Sequence, residues 1–272
     1  MSTTHRFLVQ ARLRYHIQPA GWMLLNMAVA HCGHQRVIRE SLLNSAGLPF
    51  REQVAPDSRT RFHGVNVPPG AFEVTYEAEV ERTEVDFAGS WEPLEASLVD
   101  LPVDVARFLY PSRYCESDKL VRLAAKQFGS LVPGHSRVAA ICNWIHDRID
   151  YLPGATDEHS SAVDCLISRA GVCRDFAHLG IPARYGSAYV HQLPYPDFHA
   201  FFEVWLGDRW WYYDATRLAP QAGFILIGGG HDAGDTSVAT MSAGVQFESM
   251  EIQVQKLTPI VPAYTASPIS FE

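Results

Sequence analysis

The sequence lacks any long uninterrupted apolar run. No stretch approaches the roughly 20 apolar residues that a membrane-spanning helix requires. The first seven residues, Met1 to Phe7, contain no apolar segment of the kind that a secretion signal carries. We therefore expect no membrane partner and a cytoplasmic location.

Clusters of basic residues are lacking as well. The chain carries 22 Lys and Arg against 30 Asp and Glu, which gives a formal net charge of −8. A net negative protein repels the phosphate backbone of nucleic acids unless a dense basic patch overcomes that repulsion. We therefore do not expect nucleic acid as a partner.

Cysteine is sparse and never closely spaced. The five cysteines are Cys32, Cys115, Cys142, Cys165 and Cys173, and none of them forms a C-x-x-C pair. Because structural zinc sites use such close-spaced ligands, this spacing disfavours one. In a reducing compartment we expect all five as thiols, and the question becomes whether one of them is reactive.

The composition is that of a folded protein. Hydrophobic residues make up 47% and charged residues 19%, which excludes a mostly disordered chain. The length of 272 residues favours two domains, because domains average about 150 residues.

The first third of the chain alternates between apolar and polar residues. From Arg6 to Ile17 apolar side chains fall at nearly every second position, and Phe72 to Val80 repeats the pattern. A period of two is the signature of a half-buried strand. With shorter apolar runs at 22–30 and 35–38, the pattern predicts an antiparallel β-sandwich domain over residues 1–95.

The period becomes helical after a proline-containing linker at residues 96–115. Ser117 and Ser136 are predicted to cap two helices, and Ser161 with Asp164 forms a capping-box variant before a third. Further strands are predicted at 183–190, 199–206, 210–214, 237–240 and 250–256. Helices followed by strands indicate an α+β domain over residues 116–272.

A run of glycines interrupts the last part of this domain. Gly228 to Gly230 precede His231 and Asp232, and the segment is predicted to be a flexible turn. No helix pattern or lysine follows it, so it is not a phosphate-binding loop.

Cys173 is predicted to lie at the start of a helix. It follows Gly171, which ends the preceding helical pattern, and opens a new apolar-periodic segment. Unpaired backbone N–H groups and the helix dipole stabilise a thiolate at such a position. A thiolate there can act as a nucleophile, whereas a buried structural cysteine is the alternative.

A predicted hairpin brings a histidine and an aspartate together. With a two-residue turn at Gly207-Asp208, the strand 199–206 pairs with the following strand so that Asp214 faces Phe201. His199 then lies diagonal to Asp214 on the same sheet face, with Cα atoms about 7–8 Å apart. Asp214 can accept a hydrogen bond from one imidazole nitrogen, which leaves the other nitrogen for a thiolate. The alternative is a strand histidine and a turn-forming aspartate.

Four segments around these residues resemble the bacterial transglutaminase-like superfamily. They are GVCRDFAHL at 171–179, IPARY at 181–185, HAFFEVW at 199–205 and WYYDAT at 211–216. The resemblance implies a papain-like core, preceded here by the β-sandwich, and acyl chemistry on amides. It also implies that Cys173 is the nucleophile, His199 the base and Asp214 the residue that orients it.

The catalytic interpretation calls for further site residues, of which Tyr151 is the one suggested by related folds. The backbone N–H of Cys173 and the side chain of Tyr151 are candidates for the oxyanion hole. Trp211, Tyr213 and His178 are candidates for lining the cleft, although a core position for the aromatic rings and a structural hydrogen bond for His178 are the alternatives.

One departure from the family pattern separates the functional hypotheses. The family has further helical turns after its His-Leu pair, whereas Leu179 here is followed directly by Gly180, so the nucleophile helix is predicted to be about two turns long. The favoured function is hydrolysis of a peptide, protein or small amide through a thioester, without cofactor or metal. The alternatives are a transglutaminase that uses an amine acceptor and an inactive binding scaffold. A zinc site formed by Cys173, His178 and His199 is disfavoured by their wide spacing.

Overall fold

A computed structural model describes residues 3–56, 59–84, 93–150, 152, 161–169 and 181–257. The strands are β1 (Thr3–Ile17), β2 (Gly21–Leu25), β3 (Gln35–Asn44), β4 (Arg51–Val54), β5 (Arg61–Val67), β6 (Gly70–Glu84), β7 (Ala183–Val190), β8 (His199–Leu206), β9 (Arg209–Tyr213), β10 (Phe224–Gly230), β11 (Ala239–Met241) and β12 (Val245–Lys256). The helices are α1 (Val103–Ala106), α2 (Ser117–Phe128), α3 (His135–His146) and α4 (Ala162–Ser168), with 3₁₀ turns at Arg107–Leu109 and Gln221–Gly223. None of the helices in these ranges is long and apolar enough to cross a membrane.

Two antiparallel sheets form a sandwich, as the alternating pattern predicted. One sheet has the strand order β12-β1-β6-β3 and the other β11-β2-β5-β4. Every second residue of β1 from Phe7 to Ile17 is buried, and the facing residues of β6 from Phe72 to Val80 are buried with them. These side chains pack against Met23 and Leu25 of the second sheet.

A third sheet, with the order β10-β7-β8-β9, carries the candidate site. The helices α2 and α3 cover one of its faces, where Phe202 and Val204 of β8 pack against Val138 and Ile141. β7 and β10 also join the sandwich, because Tyr189 and Ile225 belong to its core. The mixture of helices and antiparallel sheets is the predicted α+β class.

The last strands return to the sheets formed by the first part of the chain. β12 pairs with β1, and β11 pairs with β2. The predicted division into 1–95, 96–115 and 116–272 assigned both strands to the second domain. The division itself stays a prediction, but the sandwich contains strands from both ends of the described chain.

The helix caps were predicted with mixed success. Ser161 caps α4 as predicted: its hydroxyl accepts from the backbone N–H of Asp164, and the Asp164 carboxylate accepts from the N–H of Ser161. The prediction for the other two caps was wrong, because α2 and α3 begin at Ser117 and His135, after Glu116 and Gly134. A serine that precedes a helical pattern of apolar residues can lie in the first turn of the helix as well as at its N-cap, and the sequence does not distinguish the two positions.

The prediction of a flexible turn at the glycine run was wrong. Gly228 to Gly230 form the end of β10 and are fully covered. A Cβ at Gly228 would lie 2.3 Å from the Thr60 hydroxyl oxygen, and this hydroxyl donates to the carbonyl of Gly229. Glycine is required here because Thr60 approaches the strand too closely for a side chain.

A buried arginine joins the two sheets of the sandwich. Arg61 of β5 donates to both carboxylate oxygens of Glu40 on β3, at 2.7 and 2.8 Å, and to the carbonyl of Val29. Tyr76 donates to the same carboxylate. Burial acts to raise the pKa of Glu40, but the hydrogen bonds from Arg61 and Tyr76 outweigh it and lower that pKa overall.

Replacing this arginine tests its contribution to stability. We expect Arg61→Met to lower the free energy of unfolding by about 2 kcal/mol near neutral pH, because Glu40 loses both hydrogen bonds from the guanidinium and keeps the one from Tyr76. A carboxyl with a lowered folded-state pKa stabilises the protein above its unfolded-state pKa and loses that effect as the pH falls. The difference between variant and wild type should therefore shrink as the pH falls from about 5 to about 3 in urea titrations.

A matched control is Arg36→Met on the surface of β3. Arg36 pairs with Glu81 at 2.6 Å, but its side chain is 70% exposed. Such exposed pairs contribute about 0–1 kcal/mol. An equal decrease in the free energy of unfolding in Arg61→Met and Arg36→Met would contradict the role assigned to Arg61.

Candidate active site

The β8–β9 hairpin positions the histidine and the aspartate. Leu206 pairs with Arg209 and Phe202 with Tyr213, which is the register that the sequence predicted. Gly207 begins the turn with a φ of 67°, in the left-handed region that glycine adopts without strain. This register places residue 214, directly after β9, opposite the start of β8.

His199 and Asp214 form a buried hydrogen bond. The distance from His199 Nε2 to Asp214 Oδ2 is 3.1 Å, and the two side chains are 1% and 2% exposed. The predicted diagonal contact is therefore confirmed. When the carboxylate is ionised it only accepts hydrogen bonds, so this contact then requires the proton on Nε2, and a neutral imidazole keeps Nδ1 as an acceptor.

The second imidazole nitrogen of His199, Nδ1, is buried as well. Among the described residues, no hydrogen-bonding group reaches Nδ1 of His199, although the atom is buried. The ring of Phe224 lies edge-on to the imidazole, with centroids 5.3 Å apart. An unpartnered buried acceptor costs free energy, so this nitrogen marks a position where a further group is needed.

A short loop after β9 holds the carboxylate. The backbone N–H of Thr216 donates to Asp214 Oδ1 at 2.9 Å, and its hydroxyl lies 2.8 and 3.0 Å from Oδ1 and Oδ2. The first contact is an Asx turn, in which an aspartate side chain binds the backbone two residues on. Sequence reasoning did not single out Thr216, although an aspartate at the end of a strand is a common signal for such a turn.

Two other cysteines are unsuited to nucleophilic chemistry. Burial raises the pKa of the Cys142 thiol far above its ordinary value, and the negative charge of Asp214 acts in the same direction. Burial also raises the pKa of Cys32, to about 11. Both therefore remain protonated and unreactive near neutral pH.

Several predicted site residues lie outside the described residues. These are Cys173, Tyr151 and His178, together with the predicted short helix before Gly180. Of the proposed catalytic set, the structure describes His199 and Asp214 and brings them together.

The aromatic candidates for the cleft lie elsewhere. Trp211 is fully buried and donates to the carbonyl of Leu206, while the Tyr213 hydroxyl lies 2.8 Å from Nδ1 of His135. Alternation along β9 turns both side chains towards α3, on the face opposite His199. Their assignment to a cleft beside His199 is therefore corrected to the core between sheet and helices.

No metal site is formed within the ranges that the structure describes. No three histidine, cysteine, aspartate or glutamate side chains lie close enough there to hold an ion. His199 is the one member of the considered zinc set that falls in these ranges.

Comparison with known proteins identifies the family to which the chain is similar. Residues 122–215 match the model of the transglutaminase-like superfamily. An uncharacterized protein of Mycobacterium leprae is 31% identical in an alignment of length 198 that covers 64% of this chain and 68% of that protein.

A solved structure extends this similarity to the whole chain. The crystal structure of a putative cysteine protease from Cytophaga hutchinsonii is 32% identical, with a TM-score of 0.91 and coverage of 100% of both chains. The sandwich and the third sheet therefore occur together in that protein as well.

Two thiols with raised pKa values, the buried Cys142 and the half-buried Cys32, supply a test of the site's surroundings. In native protein at pH 8, about one Cys32 side chain in a thousand is ionised, given its pKa of about 11. We expect iodoacetamide to leave Cys32 and Cys142 unmodified over the time in which an exposed thiol reacts, as measured by peptide mass spectrometry. Both should react rapidly in denaturant, and rapid labelling in the native protein would contradict the raised pKa of Cys32 or the burial of Cys142.

Proposed function

Because the chain belongs to the transglutaminase-like superfamily, whose fold it has, we propose that it is a cysteine hydrolase of amide or peptide bonds. The observation that carries the proposal is the buried His199–Asp214 hydrogen bond, together with a buried Nδ1 that no described residue reaches with a hydrogen bond. The similarity to a putative cysteine protease supports the same class of chemistry. The cytoplasmic location stays a prediction.

The proposed mechanism assigns one role to each residue. The Cys173 thiolate attacks the carbonyl carbon of the substrate amide and forms a carbon–sulfur bond. His199, protonated at Nδ1, donates that proton to the leaving amine as the carbon–nitrogen bond breaks. Asp214 holds Nε2–H throughout and thereby orients the ring. Water, deprotonated by His199, then hydrolyses the thioester and regenerates the thiolate.

The remaining assignments complete the proposal. The backbone N–H of Cys173 and Tyr151 stabilise the oxyanion of the tetrahedral intermediate. His178 stays a candidate for the cleft wall. The substrate is a peptide, a protein or a small amide, and the proposed steps need no metal or cofactor.

Hydrolysis is favoured over amine transfer because water needs no second binding site. An amine acceptor would have to be held beside the thioester in competition with water at about 55 M in bulk solution. The following experiments distinguish hydrolysis from the two alternatives, a transglutaminase and an inactive binding scaffold.

The first experiment measures alkylation of Cys173 by iodoacetamide against pH. An ordinary thiol is about 1% ionised at pH 6.5, whereas a helix N-terminus and an adjacent imidazolium lower the pKa of a cysteine below that range. We expect a fast rate that persists below pH 7 and falls about 10- to 100-fold in His199→Gln. The glutamine retains an N–H donor for Asp214, so the change removes the base with little effect on the buried pair.

The control variant replaces a histidine that lies outside the candidate site. His16→Gln, on an exposed position of β1, should leave the Cys173 profile unchanged. A Cys173 rate that rises only near pH 8.5, as for a free thiol, would falsify the enzyme proposal and favour the scaffold.

A second experiment separates water from amine as acceptor. With a reactive amide or ester substrate, we expect the acid product to dominate when a primary amine is added at millimolar concentration. Mass spectrometry of the products gives the partition ratio, and Cys173→Ala should abolish both products. Amine incorporation faster than hydrolysis would instead identify a transglutaminase.

A further inference from the structure

Thr216 contacts three of the four polar side-chain atoms of the His199–Asp214 pair, the exception being Nδ1. Its hydroxyl lies 2.8 Å from Asp214 Oδ1, 3.0 Å from Oδ2 and 3.5 Å from His199 Nε2. Its backbone N–H binds Oδ1 at 2.9 Å. Among the described residues, Thr216 thus supplies the two donors other than His199 to a carboxylate whose side chain is 2% exposed.

These contacts determine which carboxylate oxygen meets the imidazole. Oδ1 is occupied by the N–H and hydroxyl of Thr216, which leaves Oδ2 to accept the proton of His199 Nε2. The Asp214 side chain would otherwise turn more freely about its last bond, since that torsion has broad minima. The hydroxyl therefore restricts the carboxylate to the orientation in which the imidazole exposes Nδ1.

The loop that carries Thr216 is itself held in place. Arg217 adopts the left-handed region with a φ of 55°, which is uncommon for a residue with a side chain. Its guanidinium donates to Asn143 of α3, and His146 of the same helix bonds the carbonyl of Ala215 at 3.1 Å. Because α3 packs on the third sheet, the position of Thr216 is fixed relative to β8 and β9.

We propose that Thr216 is a positioning residue, whose hydroxyl holds the Asp214 carboxylate so that His199 keeps its proton on Nε2 and presents Nδ1 to the nucleophile. The value of this arrangement for catalysis rests on the proposed function. The effect of Thr216 on the His199 imidazole does not depend on the proposed function. The positioning role and the enzyme activity can therefore be measured separately.

The first measurement follows the imidazole without the nucleophile. In full-length Cys173→Ala protein at about pH 8.5, where imidazoles are ordinarily neutral, proton–nitrogen spectra report which nitrogen carries the proton. The His199 signals are assigned by their loss in His199→Gln. We expect one tautomer, protonated at Nε2, with slow exchange of that proton with water.

Three variants at this position separate the hydroxyl from the shape of the side chain. Thr216→Val keeps the branched shape and the backbone N–H, Thr216→Ala removes the side-chain contacts, and Thr216→Ser keeps the hydroxyl. We expect Val and Ala to give a mixture of tautomers and faster exchange of the Nε2 proton, and Ser to retain the wild-type spectrum. Thr75→Val on the outward side of β6 is the matched control.

The second measurement repeats the alkylation profile with Cys173 present. We expect Thr216→Val and Thr216→Ala to lower the rate at pH 6.5 by about five- to tenfold, the effect of losing one typical hydrogen bond. Thr216→Ser should stay within about twofold of wild type. If Thr216 had a purely structural role, the variants would change the midpoint of thermal unfolding. The pH profile of Cys173 alkylation would then stay the same, with no loss of rate for Thr216→Ser to rescue.

The outcomes distinguish this inference from the proposed function. If the His199 spectrum is the same in Thr216→Val, Thr216→Ala and wild type, or if Ser changes it as Val does, the role of the hydroxyl is overturned. If the spectrum responds as expected but wild-type Cys173 shows no reactivity below pH 7, the positioning role is supported and the enzyme proposal fails.

Discussion

The two-residue turn at Gly207 and Asp208 sets the register of β8 against β9, and the geometry of the candidate site depends on that register. A shift by one residue would turn every side chain of one strand to the opposite face. His199 and Asp214 would then point to different faces of the sheet. The left-handed backbone of Gly207 therefore matters for the site although it lies at the other end of the hairpin.

The third sheet uses its two faces for different purposes. Phe202, Val204 and Trp211 pack against the helices, which makes that face a conventional apolar core. The opposite face combines the apolar contacts of Phe201 and Phe224 with polar groups at its end, including the buried His199. The apolar layer excludes water from the hydrogen bond between His199 and Asp214, which strengthens it.

Local patterns predicted much of this architecture. The alternation along β1 and β6 and the register of the hairpin depend on neighbouring residues alone, so the sequence was sufficient for them. The positions of Trp211 and Tyr213 were not predictable, because alternation separates two faces without saying which one the helices cover. The strand at Gly228 and the contacts of Thr216 depend on partners distant in the fold or on loop geometry, which a single sequence does not reveal.

The pairing of β12 with β1 has a consequence for the order of folding. Residues such as Phe7 and Lys256 are neighbours in the sheet although almost the entire described chain separates them. Closing so long a loop is entropically costly and slow. During synthesis on the ribosome, β1 can pair with β6 early, but its other edge stays unpaired until β12 emerges. That open edge can associate with strands of other chains during this interval.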